Sequence, residues 1–268
     1  MPQPPSVTVS ILMPVRNEGI NLKIMLKILR AVLEVDHEVV VVCDDPADES
    51  VPIVLEMQPD YANLRLVHNR FGRGVTNAIR AGVEASVGEY VLIFAADEIG
   101  PVLAIGDMLA LMREGVDFVS CTRYAYGGRR LGGSPIGQML SRMANWLFHR
   151  LGGCVLTDAT TGIKMMRREV FSRLNLSAKP VGWAVAFEMS IKAQLTGLKL
   201  GEVPIISIDR LYGGESTFRL GSWSLEYLRW FLWGAMRLRG AARAAGSARP
   251  SVVVRESSEV PLAANVKR

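Results

Sequence analysis

A chain of 268 residues with 49% hydrophobic and 21% charged side chains can bury one large α/β core, which excludes a disordered or fibrous polymer. Its formal charge of +5 and pI near 9.3 point to anionic partners: phosphorylated substrates, anionic lipid or nucleic acid. Cys43, Cys121 and Cys154 are widely spaced, as are His37, His68 and His149, so neither a disulfide framework nor a zinc cluster is expected.

Apolar, β-branched runs at 7–13, 38–42, 64–67, 90–94 and 118–121 alternate with helical periodicity at 21–33, 51–57, 76–85 and 102–112. Such a βαβ series predicts an α/β fold with a mostly parallel central sheet covered on both faces and functional residues after the strand C-termini. Those residues are Arg16-Asn-Glu18, Asp44-Asp45, Asn69-Arg70 and Asp97-Glu98. The first residues, Met-Pro-Gln-Pro-Pro, lack a basic region and run straight into a strand, so no signal peptide is expected there.

Beyond Cys121 the pattern changes to a Gly/Arg-rich loop over 126–133. Ser134-Pro135 then offers an N-cap and first-turn pair. In the helix that follows, Ile136, Met139, Leu140, Met143, Leu147 and Leu151 recur at helical spacing and are expected to face the core. A helix over 184–195, a strand over 200–208 and a polar loop over 209–220 complete the expected main domain, residues 1–221. Within 222–240, Trp223, Tyr227, Trp230, Phe231, Trp233 and Leu238 interleave with Arg229, Arg237 and Arg239. That pattern suits a helix in a membrane interface, or equally one docked on the protein's own core or a partner. Glu226, Arg229 and Arg237 interrupt it too often for a membrane span. Residues 241–268 read as a mobile basic tail.

The run Val91-Leu-Ile-Phe-Ala-Ala-Asp-Glu98 carries two acids to the end of a buried-looking strand, where a hard divalent cation bridges to substrate phosphates or where an acid simply caps a helix. The order of signals around it is more specific. Strand-Pro14-x-x-Asn17-Glu18, strand-Asp44-Asp45, Gly72-Arg73-Gly74, strand-Ala96-Asp97, Thr122-Arg123-Tyr124 with Gly127-Gly128, Leu140-Ser141-Arg142, Thr157-Asp158 through Gly162-Ile-Lys164, Phe187-Glu188, Glu202-Val-Pro-Ile205 and Asp209-Arg210 follow one another. From about residue 7 to 221 the chain resembles a family 2 glycosyltransferase of the GT-A fold, in the dolichol-phosphate mannose synthase-like, polyprenyl-phosphate branch.

That resemblance implies a nucleotide pocket lined by Pro14, Arg16, Asn17, Glu18, Asp44, Gly72, Arg73, Ala96 and Asp97. It implies Mg2+ or Mn2+ held by Asp97, alone or with Glu98. An acceptor-phosphate site formed by Arg123, Ser141, Arg142 and Arg210 also follows, with Asp97, Arg123 and Arg210 closest to the chemistry. Asp158 and Glu188 would serve structure or sugar positioning. The chain departs from the family pattern at Ala95 and Cys43, which replace the first acids of two pairs, at Gly137 where an arginine is usual, and at Thr217 where a lysine is usual. Arg129 and Arg130 are candidate substitutes for the missing arginine. The implied activity is inverting sugar transfer from a nucleotide diphosphate to a polyprenyl phosphate on the cytoplasmic face of a membrane. A soluble or cell-envelope acceptor, or a catalytically silent nucleotide-sugar-binding subunit, is the alternative. No motif for nucleic-acid recognition is present.

Overall fold

A computed structural model describes residues 7–132, 134–180, 182–208, 222–244 (side chains from Leu225 onward) and 250–255. Strand β1 (Val9–Val15) leads into α1 (Gly19–Val32), β2 (His37–Cys43), α2 (Ser50–Met57), β3 (Leu64–His68), α3 (Val75–Ala85) and β4 (Tyr90–Ile93). A 3-10 turn at Gly100–Ala104 introduces α4 (Ile105–Arg113), followed by β5 (Phe118–Thr122), β6 (Arg129–Leu131), α5 (Pro135–Arg150) and β7 (Lys164–Arg167). Then come α6 (Arg168–Arg173), α7 (Ala184–Leu195), β8 (Leu200–Pro204), β9 (Ile206–Ile208), α8 (Ser222–Ala244) and β10 (Val252–Val254).

The main sheet runs β10-β8-β5-β7-β4-β1-β2-β3, and β6 pairs with β9 in a separate parallel ribbon. All its strands are parallel except β7, which lies antiparallel between β4 and β5. The C-termini of β1, β2, β3, β4 and β5 therefore share one edge, and the four candidate loops emerge there, with Arg123 following β5. Alternating residues of the strands feed two cores. Ile11, Met13, Val39 and Val41 pack under α1, α2 and α4, while Leu12, Val40, Val91 and Phe118 pack under α3 and α7. That two-sided burial is why these strands read as continuous apolar runs.

Three sequence expectations change here. Most of the stripe on α5 does not face the core: Ile136 is 67% and Met139 62% exposed, Leu140, Met143 and Leu151 are also outward, and Leu147 is half-buried. Asn145 and Phe148 are what α5 buries, because periodicity marks an apolar face without saying what covers it. The segment expected as a mobile tail is partly ordered. Helix α8 continues to Ala244, and the β-branched triplet Val252–Val254 adds a strand beside β8, with Arg255 paired to Asp107 and Glu114. The expected strand over 200–208 divides at Pro204-Ile205 into β8 and β9, since proline withholds a ladder donor.

One face of α8 docks on α7, with Trp230 and Leu238 buried and Gly234 against Ile191 and Phe148. Its opposite face leaves Leu225, Leu228, Leu232 and Met236 exposed. The docking expectation for this helix is thus met on one face.

Candidate active site

On the β1 and β2 side, backbone geometry is set by acids. Asn17 adopts a left-handed φ of 54°, and its N–H donates to Asp48 Oδ2 at 2.9 Å. Asp48, which no sequence motif singles out, is buried and also accepts from Ser50 N. Ser50 Oγ in turn accepts from Glu18 N. The Glu18 side chain does not cap α1. Arg16 and Asn17 are exposed on the shared edge, and Pro14 is half-buried at the end of β1.

Asp44 joins β2 to the glycine turn, accepting from Asn69 Nδ2 at 2.7 Å and Gly74 N at 2.8 Å. Gly74 has φ of 118°, and a Cβ there would lie 2.5 Å from Pro180, so the close approach at this turn is made by the protein's own chain. Arg73 projects outward and pairs with Asp45 at 2.9 Å, an exposed bridge of little stabilising value. Asn69 Nδ2 also donates to Gly72 O at 2.7 Å, so Asp44 and Gly72 are joined through Asn69, while Arg73 is tied to Asp45.

After β4, Ala96 is buried and Asp97 half-buried at the edge. Glu98 accepts from Ser207 Oγ of β9 at 3.0 Å. Among the described residues no cluster of three or more metal-ligating side chains exists. That donor set fits a magnesium or manganese ion arriving with a diphosphate, since such ions use one or two carboxylates and take other oxygens from phosphates and water.

The β5 side is the most tightly built. Arg123, 11% exposed, places Nε 2.7 Å from Asp158 Oδ2 and Nη2 3.0 Å from Asp158 Oδ1, with Nη2 also on Thr160 Oγ1. Asp158 is fully buried and accepts further from the N–H groups of Arg123, Thr160 and Thr161. Burial alone would raise its pKa, but the Arg123 guanidinium outweighs that and holds the carboxyl below its ordinary value. Tyr124 donates from its hydroxyl to Ser141 Oγ at 2.8 Å, and Asn145 bridges Ser141 O to Thr160 Oγ1. Arg123, Ser141 and α5 are thereby linked, while Arg142 is exposed on α5. Arg129 is exposed on β6. Arg210, Asp209 and Thr217 lie outside the described residues.

Glu188 holds structure together. It accepts from Ser177 N, Ser177 Oγ and Ala178 N and pairs with Lys192 at 2.6 Å. Glu202, fully buried, accepts from Thr157 N at 2.8 Å and Asp158 N at 3.3 Å. Burial pushes its pKa up to about 7 despite those donors. A raised folded-state value means that its contribution to stability is complete below the ordinary value of 4.5 and is lost as pH rises through about 7. Glu202→Gln, with no proton to lose, should remove that part of the slope. Urea unfolding of both proteins at pH 5 and pH 8 is the check: the gap between them should change with pH, and parallel behaviour would exclude a raised Glu202.

Comparisons with known proteins bear on the family and the fold. The model for "Glycosyl transferase family 2" matches residues 10–174, more than half of the chain. Dolichol-phosphate mannosyltransferase of Pyrococcus furiosus is 26% identical over 237 residues, covering 82% of this chain and 62% of the relative. Dolichyl-phosphate beta-glucosyltransferase ALG5A of Trichomonas vaginalis is 27% identical over 216 residues, covering 75% and 66%. The chain thus spans less than two thirds of the length of either relative. Glucosyl-3-phosphoglycerate synthase from Mycobacterium tuberculosis, solved with Mn2+, UDP and glucosyl-3-phosphoglycerate, superposes with a TM-score of 0.65 at 17% identity over 85% of this chain and 80% of that one. At that identity the likeness speaks for the fold alone, which is the expected GT-A arrangement. With the family model spanning the strand edge and the Arg123–Asp158 loop, the chain belongs to glycosyl transferase family 2.

Proposed function

We propose that this chain transfers a sugar from a nucleotide diphosphate to a polyprenyl phosphate at a membrane surface, with inversion at the anomeric carbon. The observation that carries this reading is the Arg123 fork and Tyr124–Ser141 pair against the middle of α5, a helix whose outward face is apolar, on the edge that also holds Asp44 and Asp97. A phosphate monoester is ionised at neutral pH and needs no general base to act as nucleophile, so cations and hydroxyl donors suffice on the acceptor side. One phosphate oxygen bonds to the anomeric carbon as the bond to the donor's β-phosphate oxygen breaks, and the nucleoside diphosphate leaves. Pro14, Arg16, Asn17, Glu18, Asp44, Gly72, Arg73 and Ala96 line the donor side. Asp97 would hold a Mg2+ or Mn2+ ion, which when bound neutralises charge on the departing diphosphate. Arg123, Ser141 and Arg142 serve the acceptor phosphate, with Arg210 assigned there on sequence alone. The two relatives, both named for dolichyl phosphates, support the same acceptor class.

The occupant proposed for the exposed faces is an anionic bilayer. No helix among the described residues is long and apolar enough to cross a membrane. Helices α5 and α8 meet through Phe148, Phe231 and Gly234, and each leaves an apolar stripe uncovered. Exposed Arg142 and Arg150 on α5 and Arg229, Arg239 and Arg243 on α8 supply the charge that anionic headgroups attract. Burying one Met or Leu side chain stabilises by about 1.5–3 kcal/mol, so Met143→Glu combined with Leu232→Glu should weaken binding to phosphatidylglycerol-containing vesicles by at least about tenfold. Co-sedimentation measures this, and unchanged binding would remove these faces from the bilayer.

The transferase reading itself is tested by offering nucleotide sugars with either a polyprenyl monophosphate or soluble phosphorylated acceptors. Transfer confined to soluble acceptors would replace the lipid, and no turnover with any pair would favour a silent nucleotide-sugar-binding subunit.

A further inference from the structure

Lys164 is fully buried on β7, opposite Ser120 of β5, where an apolar residue would ordinarily sit. Its ammonium donates to Ser120 Oγ at 2.9 Å and Ser190 Oγ at 2.8 Å. Each hydroxyl has one proton to donate onward: Ser190 reaches Ala159 O at 2.7 Å in preference to Ala186 O at 3.1 Å, and Ser120 shares its proton between Cys121 O at 3.3 Å and Asp158 O at 3.4 Å. A hydroxyl that accepts from an ammonium becomes a better donor, so Ser190 relays the charge to the loop carbonyl of Ala159, with Ser120 beside the carbonyl of Asp158. The other side of the same loop is held by Glu202, through the N–H groups of Thr157 and Asp158. Carbonyls held by the serines and amides held by Glu202 fix the loop backbone around Asp158, whose side chain carries the Arg123 fork.

We infer that Lys164 is a positioning residue for sugar transfer, acting through Ser120, Ser190 and the loop of Asp158 to fix Arg123 against the acceptor phosphate. This inference rests on the acceptor role given to Arg123 above. A role in core filling alone would require only volume, which methionine supplies. Burial also lowers the Lys164 pKa to about 8, a cost that an apolar residue would not carry.

The test compares wild type with Lys164→Met and Lys164→Gln, each confirmed folded by near-ultraviolet circular dichroism. The first readout needs no activity: the Nε–H resonance of Arg123, identified by its disappearance in Arg123→Lys. In Lys164→Met its solvent exchange should accelerate at least about tenfold, as expected for a hydrogen bond that opens locally. Lys164→Gln, which keeps donors for the serines, should fall between the two. The second readout is the split in KM: at least about tenfold higher for polyprenyl phosphate and within about twofold for the nucleotide sugar. A folded Lys164→Met with unchanged Arg123 exchange and unchanged acceptor KM would overturn the inference, as would an equal rise in both KM values. If Lys164→Met does not fold, Lys164→Gln is judged by the same two outcomes. If wild type transfers nothing to lipid phosphate, the acceptor reading fails by itself, and the Arg123 exchange rate still decides whether Lys164 positions the fork.

Discussion

Asp158→Ala should lower the free energy of unfolding by about 3–5 kcal/mol, because removing one partner of a buried ion pair leaves the other charge uncompensated. Arg123 would keep its guanidinium in a site where only 11% of the side chain reaches solvent, and three backbone N–H groups would lose their acceptor. In a domain of this size such a loss corresponds to a fall in Tm of roughly 10 °C. Asp158→Asn should cost less, since an amide oxygen still accepts from Thr160 and Thr161. Acid should bring wild type closer to the variants. The depressed Asp158 pKa stabilises the fold above the ordinary value of 3.8, and that stability disappears as pH falls through the lower folded-state value. Calorimetry at pH 7 and pH 3 should show the gap between wild type and Asp158→Asn narrowing in acid. A loss under about 1 kcal/mol at pH 7 would mean that the fork adds little beyond its desolvation cost.

Asp97→Ala should reduce transfer by about three orders of magnitude, the rate equivalent of the several kcal/mol that a metal contributes to a departing diphosphate. With one carboxylate from the protein, the ion should bind free protein weakly and bind appreciably only with nucleoside diphosphate. Manganese titration followed by electron paramagnetic resonance, with and without UDP or GDP, measures this without turnover. Ala95→Asp, which adds a second acid beside the first, should strengthen metal binding to the free protein. Full activity of Asp97→Ala in metal-containing buffer would remove Asp97 from the site. Full wild-type activity in chelator would place the neutralising charge on side chains such as Arg73 instead.

Much of the scaffold was legible because buried parallel strands leave continuous β-branched runs: Val39 to Val42 and Val91 to Ile93 announce themselves. Strand β7 was not, since Lys164-Met-Met-Arg167 is short and bounded by charges. The individual residues Arg123, Asp158 and Glu202 stood in recognisable motifs, yet their meeting depends on chain separations of 35 and 44 residues that no local pattern encodes. Burial of Lys164 is invisible to sequence for the same reason. The α5 stripe differs in kind: helical spacing identifies the apolar face, but its surroundings are solvent rather than core.

Initial rates are measured for a polyprenyl monophosphate and for the matching polyprenol, with the same nucleotide sugar and vesicles. A pre-ionised phosphate should be glycosylated, with the anomeric configuration of the donor inverted, while the alcohol, which needs a general base to lose its proton, should give no product. Equal transfer to the alcohol, or product only from the alcohol, would contradict the assignment of Arg123 and Ser141 to a phosphate acceptor.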